Sequence, residues 1–222
     1  MSDYIDDDIS PEEFDRQAAL YAPFTDAVRG LVDATIRSEV DDEEIRAVQA
    51  EVEALTARLR AKQLPGSFGV RFSTTGGPTR PWGNAVMGLR NPIAPPLKIE
   101  MDPAGRTRSE FHLGAAYEGP PGLVHGGVSA LLLDQMVGQA ASAGGHPGMT
   151  GTLTVRYRRG TPLGDLTSEA WIESFDGPKT FVKGWIADAE GITVEAEAIM
   201  VLPRWARTEM AERADGAPKM FE

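Results

Sequence analysis

Apolar residues follow two different rhythms along this chain, and the change from one to the other divides it. Ile45, Val48, Val52, Leu55 and Leu59 recur at steps of three, four, three and four, the spacing of one helix face. Glu, Arg, Gln and Ala between them are good helix formers, and Leu64-Pro65-Gly66 closes the stretch. Two heptads are too few to define a coiled coil. The apolar face is therefore expected to pack against this protein or a dimer mate, with a separate binding partner as the alternative. Residues 1–65 as a whole read as an acidic helical extension without strand-like alternation.

From residue 97 the rhythm is that of strands. Leu97–Met101 and Arg106–Leu113 read as two short strands joined by Asp102-Pro103-Ala104-Gly105, residues with turn chemistry. Four more are expected at Thr150–Arg159, Leu166–Phe175, Thr180–Asp188 and Ile192–Leu202. In the first of these, Leu153, Val155 and Tyr157 alternate with Thr154, Arg156 and Arg158. The connections Gly160–Gly164, Asp176–Pro178 and Ala189–Gly191 are short, so successive strands are expected to pair antiparallel.

Between the second and third strands lies GLVHGGVSALLLDQMVGQAASAGG, apolar almost all round from Val128 to Ala140, the mark of a helix buried on most sides. Residues 97–203 thus predict an α+β domain, an antiparallel sheet of five or six strands wrapped around one central helix. Residues 66–96 are a Gly/Pro-rich connection that wraps over the core or lies near a substrate. Residues 204–222 are a polar tail.

Composition narrows the function classes. The chain has 222 residues and a net charge of −11, which argues against a nucleic-acid partner, whose phosphates it would repel. An anionic substrate would need a local basic patch against that field; Arg156, Arg158 and Arg159 supply one, or simply keep a strand end solvated. No cysteine is present, which excludes disulfides, thiolate metal sites and cysteine nucleophiles. No run of 18 apolar residues implies a membrane span, and the acidic start MSDYIDDDISPEEF is unlike a signal peptide. A cytoplasmic location is the expectation.

Asp134 is the anomaly of the central helix. It sits among Leu131, Leu132, Leu133, Met136 and Val137 with no Lys or Arg within one turn. A carboxylate in such surroundings is costly unless it is paired or used. The bland alternatives are a helix face that reaches solvent or a structural hydrogen bond. His125-Gly126-Gly127 opens the same helix, and amides at a helix start can stabilise a developing oxyanion. Nine residues separate His125 from Asp134, about 13 Å of helix, too far to share one carbonyl within a chain. A shared site would require the aspartate of one protomer to meet the helix start of another. His112 and His146 show no ligand spacing with an acid, and neither a metal nor a cofactor is expected.

The segment VHGGVSALLLDQMVG, followed by GMTGTLTVRYRRGTPLGD, resembles the PaaI-like branch of the hotdog-fold thioesterase superfamily over roughly residues 91–202. The resemblance implies hydrolysis of an acyl-CoA or related thioester by a homodimer, possibly a dimer of dimers, with sites at the dimer interface. It assigns Asp134 as general base or nucleophile and Gly126 as the amide that polarises the thioester carbonyl. His125 would orient that turn or the substrate, and Thr150, with Thr152 as fallback, would position water or the carboxylate. Gly127, Glu118, Arg156 and Arg158 are the expected substrate contacts. Glu118-Gly119-Pro120 stands where relatives often carry Asn or Gln; Glu118 there either serves a different catalytic arrangement or caps a loop. Hydratases on this fold usually pair the aspartate with a histidine five residues on, and Gln139 occupies that position. The remaining alternative is a non-catalytic thioester-binding sensor or interaction protein.

Overall fold

The computed structural model describes residues 4–72 and 79–203, divided into two compact units, Met1–Ala94 and Pro95–Glu222. The expected polar tail, 204–222, lies outside the described residues.

In the first unit, β1 (Tyr4–Asp6) leads to α1 (Pro11–Arg37), α2 (Asp42–Arg60) and β2 (Val70–Phe72). Ser10 caps α1 by accepting from the Glu13 amide at 3.2 Å, and proline fills the first helical position, where no amide is needed. Asp41 caps α2 in the same way through the Glu44 amide at 2.9 Å. β1 and β2 pair in parallel from Tyr4↔Val70 to Asp6↔Phe72, so the extension is not purely helical as expected. Three residues hold too little alternation to register as a strand. Asp7 then pairs with Arg71 at 2.9 Å and Arg80 at 2.6 Å, and their guanidinium groups hold its carboxyl below the usual range. Trp82 is buried against Phe14, Tyr21 and Phe68, with ring centroids 5.5 to 6.4 Å away.

The second unit is a hotdog fold. β3 (Glu100–Asp102), β4 (Arg106–Leu113), β5 (Met149–Tyr157), β6 (Gly164–Asp176), β7 (Lys179–Asp188) and β8 (Gly191–Val201) form one antiparallel sheet in the order β3-β4-β6-β7-β8-β5. α3 (Gly126–Ala143) lies against it. Its Leu132, Leu133, Met136, Val137, Ala140 and Ala141 are fully buried, as are Leu113, Ala170 and Val194 on the strands. Thr107 on β4 also donates its hydroxyl to the Met136 carbonyl at 3.2 Å.

Two expectations are corrected here. Short connections do join paired neighbours at β3–β4, β6–β7 and β7–β8, but β5 and β6 are not partners: among the described residues β5 pairs only with β8 and forms an edge. Three strand spacings separate β5 from β6, about 14 Å, and the six residues 158–163 can span roughly 20 Å. The linker crosses the start of α3, where Thr161 accepts from the Val124 amide at 2.8 Å and Leu163 donates to Gly122 at 3.1 Å. The second correction concerns α3 itself. It buries one side only; Gly127, Leu131, Asp134, Gln135 and Gly138 form a stripe that this chain leaves partly or wholly open, with Leu131 at 43% exposure. No helix among the described residues is long and apolar enough to cross a membrane.

Candidate active site

His125 begins the site. It is the N-cap of α3, with extended backbone at φ −61° and ψ 131°, and its Nδ1 accepts from the Gly127 amide at 3.0 Å. That bond leaves Nε2 as the protonated ring nitrogen when the imidazole is neutral. The His125 carbonyl accepts from Val128 at 2.9 Å and from Ser129 at 3.3 Å, and its amide donates to Tyr117 at 2.9 Å. Three of the first four helical amides are therefore committed. The Gly126 N–H is the one left open among the described residues, at the positive end of the helix dipole. Both glycine amides were expected to be open; Gly127 keeps its place on the exposed stripe, but its N–H belongs to His125.

Tyr157, which sequence reasoning used only as a strand residue, closes on this turn. Its hydroxyl donates to the Gly126 carbonyl at 2.8 Å from the end of β5. A Cβ on Gly126 would stand 3.3 Å from ring atoms of Tyr157, so glycine lets the ring lie against the helix start. The alternation Leu153, Val155, Tyr157 was the available signal, because it points the tyrosine to the helix side of the sheet.

Asp134 lies two and a half turns further along α3, half-buried, with no hydrogen bond or ion pair among the described residues. It is neither sealed in the core nor tied into a structural bond. Thr150 pairs across the sheet with Met200, a buried residue whose methyl lies beside Gly138, and its hydroxyl meets the Met200 sulfur at 3.6 Å. The ladder between Thr150 and Thr152 is broken by a bulge at Gly151, which puts Thr152 opposite Ile199 instead. Cross-strand partners share a face, so Thr150 and not Thr152 is on the α3 side.

The other expected contacts divide. Glu118 accepts from the Gly122 amide at 2.7 Å and braces the loop into α3. Arg158 is held by Glu195 at 2.6 Å, and Arg159 binds Asp188 and the Gly191 carbonyl. The Arg159 guanidinium pulls the Asp188 carboxyl down to about 2. Arg156, exposed on β5, is unpaired among the described residues. His112 meets Asp165 at 2.8 Å and His146 stacks on Phe175, both outside the α3 start. Trp82, in the 66–96 connection expected to wrap over the core or lie near a substrate, is buried in the aromatic cluster of the first unit.

An open amide at a helix start and an unpaired carboxylate on the same exposed stripe are the two ingredients of acyl transfer to water. Within one chain eight residues of helix keep them about 12 Å apart.

Comparison with known proteins follows the same segment. The family model of the thioesterase superfamily matches residues 121–194, from the approach to α3 into β8. The crystal structure of a thioesterase superfamily protein is 37% identical, with a TM-score of 0.73 and coverage of 82% of this chain and 94% of that one. Acyl-coenzyme A thioesterase THEM4 from Xenopus laevis is 35% identical over 91 residues, 40% of either chain. Its namesake from Mus musculus is 33% identical over 94 residues, 42% of this chain and 40% of that one. The chain thus spans about two fifths of the length of the curated relatives it matches.

Proposed function

The chain belongs to the thioesterase superfamily, and from that premise we propose that it hydrolyses an acyl-CoA, or a related acyl thioester, to the free acid and the thiol. The observation that carries this reading is the presence on α3 of both the Gly126 amide and the half-exposed Asp134 carboxylate, each without a partner among the described residues. The two curated relatives named as acyl-coenzyme A thioesterases support the substrate class.

The site needs two copies of the chain. Two features of a single copy call for a partner: the open stripe of α3, and the nine-residue edge strand β5, whose outer backbone groups face no strand among the described residues. A homodimer joined edge to edge across a two-fold axis runs the two α3 helices in opposite directions. The partner's Asp134 then stands near Gly126. The thioester oxygen accepts from the Gly126 N–H, while the carboxylate takes a proton from water as it attacks, or attacks the carbonyl itself. The tetrahedral intermediate collapses with loss of the thiolate. In the base route the proton passes from Asp134 to the thiolate; in the nucleophile route water then hydrolyses the acyl-aspartate anhydride. Either way one water is consumed and one acid and one thiol leave.

His125 holds the Gly127 peptide and so sets the Gly126 N–H direction, and Thr150 orients the water or the carboxylate from the sheet. Arg156, unpaired among the described residues and on the face of β5 turned away from α3, meets the anionic end of the substrate outside the α3 site, with Arg158 beside it. Gly127 gives the substrate room on the stripe, and Glu118 shapes the loop it passes.

Thiol release from short, medium, long and aromatic acyl-CoAs tests this, with Asp134→Ala compared at matched oligomer size. We expect one class to turn over and the variant to lose at least about 10²-fold in kcat. Wild-type protein that binds acyl-CoA without turnover would make it a sensor, and a fully active variant would remove Asp134 from the mechanism.

A further inference from the structure

Helix α2 presents an apolar seam, and among the described residues none of it is fully buried, Val52 being the most sheltered. Ile45, Val52 and Leu59 occupy one heptad position, Val48 and Leu55 the other. Ile45, Leu55 and Leu59 are each about half exposed, at 49%, 51% and 57%, and no residue of the helix is buried. α1 does not run alongside it. The helix is nevertheless well formed, with an Asp41 cap, acids in its first turn and Arg58 and Arg60 in its last. A continuous apolar line on a firm helix marks a surface made for a partner.

The charges say which partner. Residues 41–47 carry Asp41, Asp42, Glu43 and Glu44 against Arg46 alone, whereas residues 55–62 carry Arg58, Arg60 and Lys62 and no acid. The same distribution serves the helix's own dipole, and it also makes the helix complementary to an inverted copy of itself. Set side by side in opposite directions, two α2 helices place each acidic end against a basic end and oppose their dipoles. Set in the same direction, they stack acid on acid and base on base. We propose that α2 is an interaction surface for a second copy of this chain, pairing antiparallel with the same helix about a two-fold axis near Val52.

The seam from Ile45 to Leu59 is about 21 Å long and roughly 10 Å wide on each helix, so the pair buries on the order of 400 Å². That is about a third of what a free-standing specific interface needs, roughly 1,200 Å². The pairing is therefore an auxiliary contact between copies already held together, and in this it rests on the homodimer proposed above.

Because the chain has no cysteine, each thiol introduced is the only one, and short bis-maleimide cross-linking reads the geometry directly. Chains carrying Ile45→Cys and Leu59→Cys, co-expressed with distinguishable tags, are expected to cross-link to each other. Ile45→Cys alone is not, since its two copies would stand roughly 20 Å apart along an antiparallel seam. Ala57→Cys, off the seam, is the control for random collision. Cross-linking of Ile45→Cys to itself as efficiently as to Leu59→Cys would overturn the antiparallel pairing. No seam cross-link above the control in protein whose dimer persists by light scattering would overturn the surface while leaving the dimer intact. A seam cross-link in protein that is otherwise monomeric would instead sink the edge-to-edge dimer and keep the α2 contact.

Discussion

Proline at position 126 would delete one hydrogen-bond donor and almost nothing else. Gly126 is the first residue of α3, the one helical position where proline's missing amide and fixed φ are tolerated. The residue before a proline must be extended, and His125 already is, at φ −61° and ψ 131°. The amides of Gly127, Val128 and Ser129 keep their bonds to His125, so the helix start stays capped. What disappears is the N–H we assign to the thioester oxygen, and the ring carbon that replaces it prevents water from standing in.

One complication is steric, because any Cβ at 126 approaches the Tyr157 ring to 3.3 Å. Gly126→Ala carries the same Cβ and keeps the N–H, so the ratio of the two variants isolates the donor. Removing one preorganised oxyanion donor costs about 10²–10³ in kcat, roughly 2.7–4 kcal/mol. Gly126→Pro should therefore fall at least about 10²-fold below Gly126→Ala in thiol release from the preferred acyl-CoA, with the melting temperatures of the two alike. A proline variant as fast as the alanine variant would refute the assignment of Gly126 as the oxyanion donor, whatever Asp134 does.

Tyr157→Phe loses the 2.8 Å bond to the Gly126 carbonyl but keeps the ring; a neutral hydrogen bond worth about 1 kcal/mol predicts a roughly fivefold drop in kcat with KM unchanged. An equal loss in KM would place the hydroxyl on the substrate instead. Asp188 titrates near 2 in the folded protein because Arg159 donates to it, below the 3.8 of a free carboxyl, so the pair stabilises the fold above about pH 4 and stops doing so as the pH falls through about 2. The difference in unfolding midpoint between wild type and Asp188→Asn should shrink over that window, and a constant difference would show that the pair carries no proton linkage. Gly105 turns between β3 and β4 at φ +79°, and a Cβ there would stand 2.6 Å from the Ile172 side chain. Gly105→Ala should cost on the order of 1–3 kcal/mol and lower the melting temperature by several degrees, checked by calorimetry.

Much of the second unit was legible in its alternation because every strand but the three-residue β3 is long enough to show a period and each hairpin turn carries its own chemistry. β4 begins and ends where the pattern places it, at Arg106–Leu113. What escaped is what local pattern does not encode. The β1–β2 pair is three residues long, and the placement of β5 at an edge is a choice of partner, on which a six-residue linker sets only an upper limit of distance. The Tyr157 contact to Gly126 spans 31 positions, so no local window contains both ends. Gly126 and Gly127 looked like a pair of open glycine amides, and only the rotamer of His125 shows that its ring takes one of them.

The instructive failure is α3. Its near-continuous hydrophobicity predicts burial on most sides, yet Leu131 is 43% exposed beside Asp134 and Gly138. An apolar side chain reserved for a second copy and one reserved for the core leave the same trace in a sequence, since both are chosen to avoid water in the final assembly. The same ambiguity attaches to Ile45, Leu55 and Leu59, whose spacing promised a packed helix and which stay about half exposed among the described residues. Hydrophobic pattern therefore measures the surface the assembled protein will bury, and the surplus over what one chain buries is itself evidence for the contacts the chain still lacks. By that measure this chain has two such surpluses, one along the stripe that carries Asp134 and one along α2.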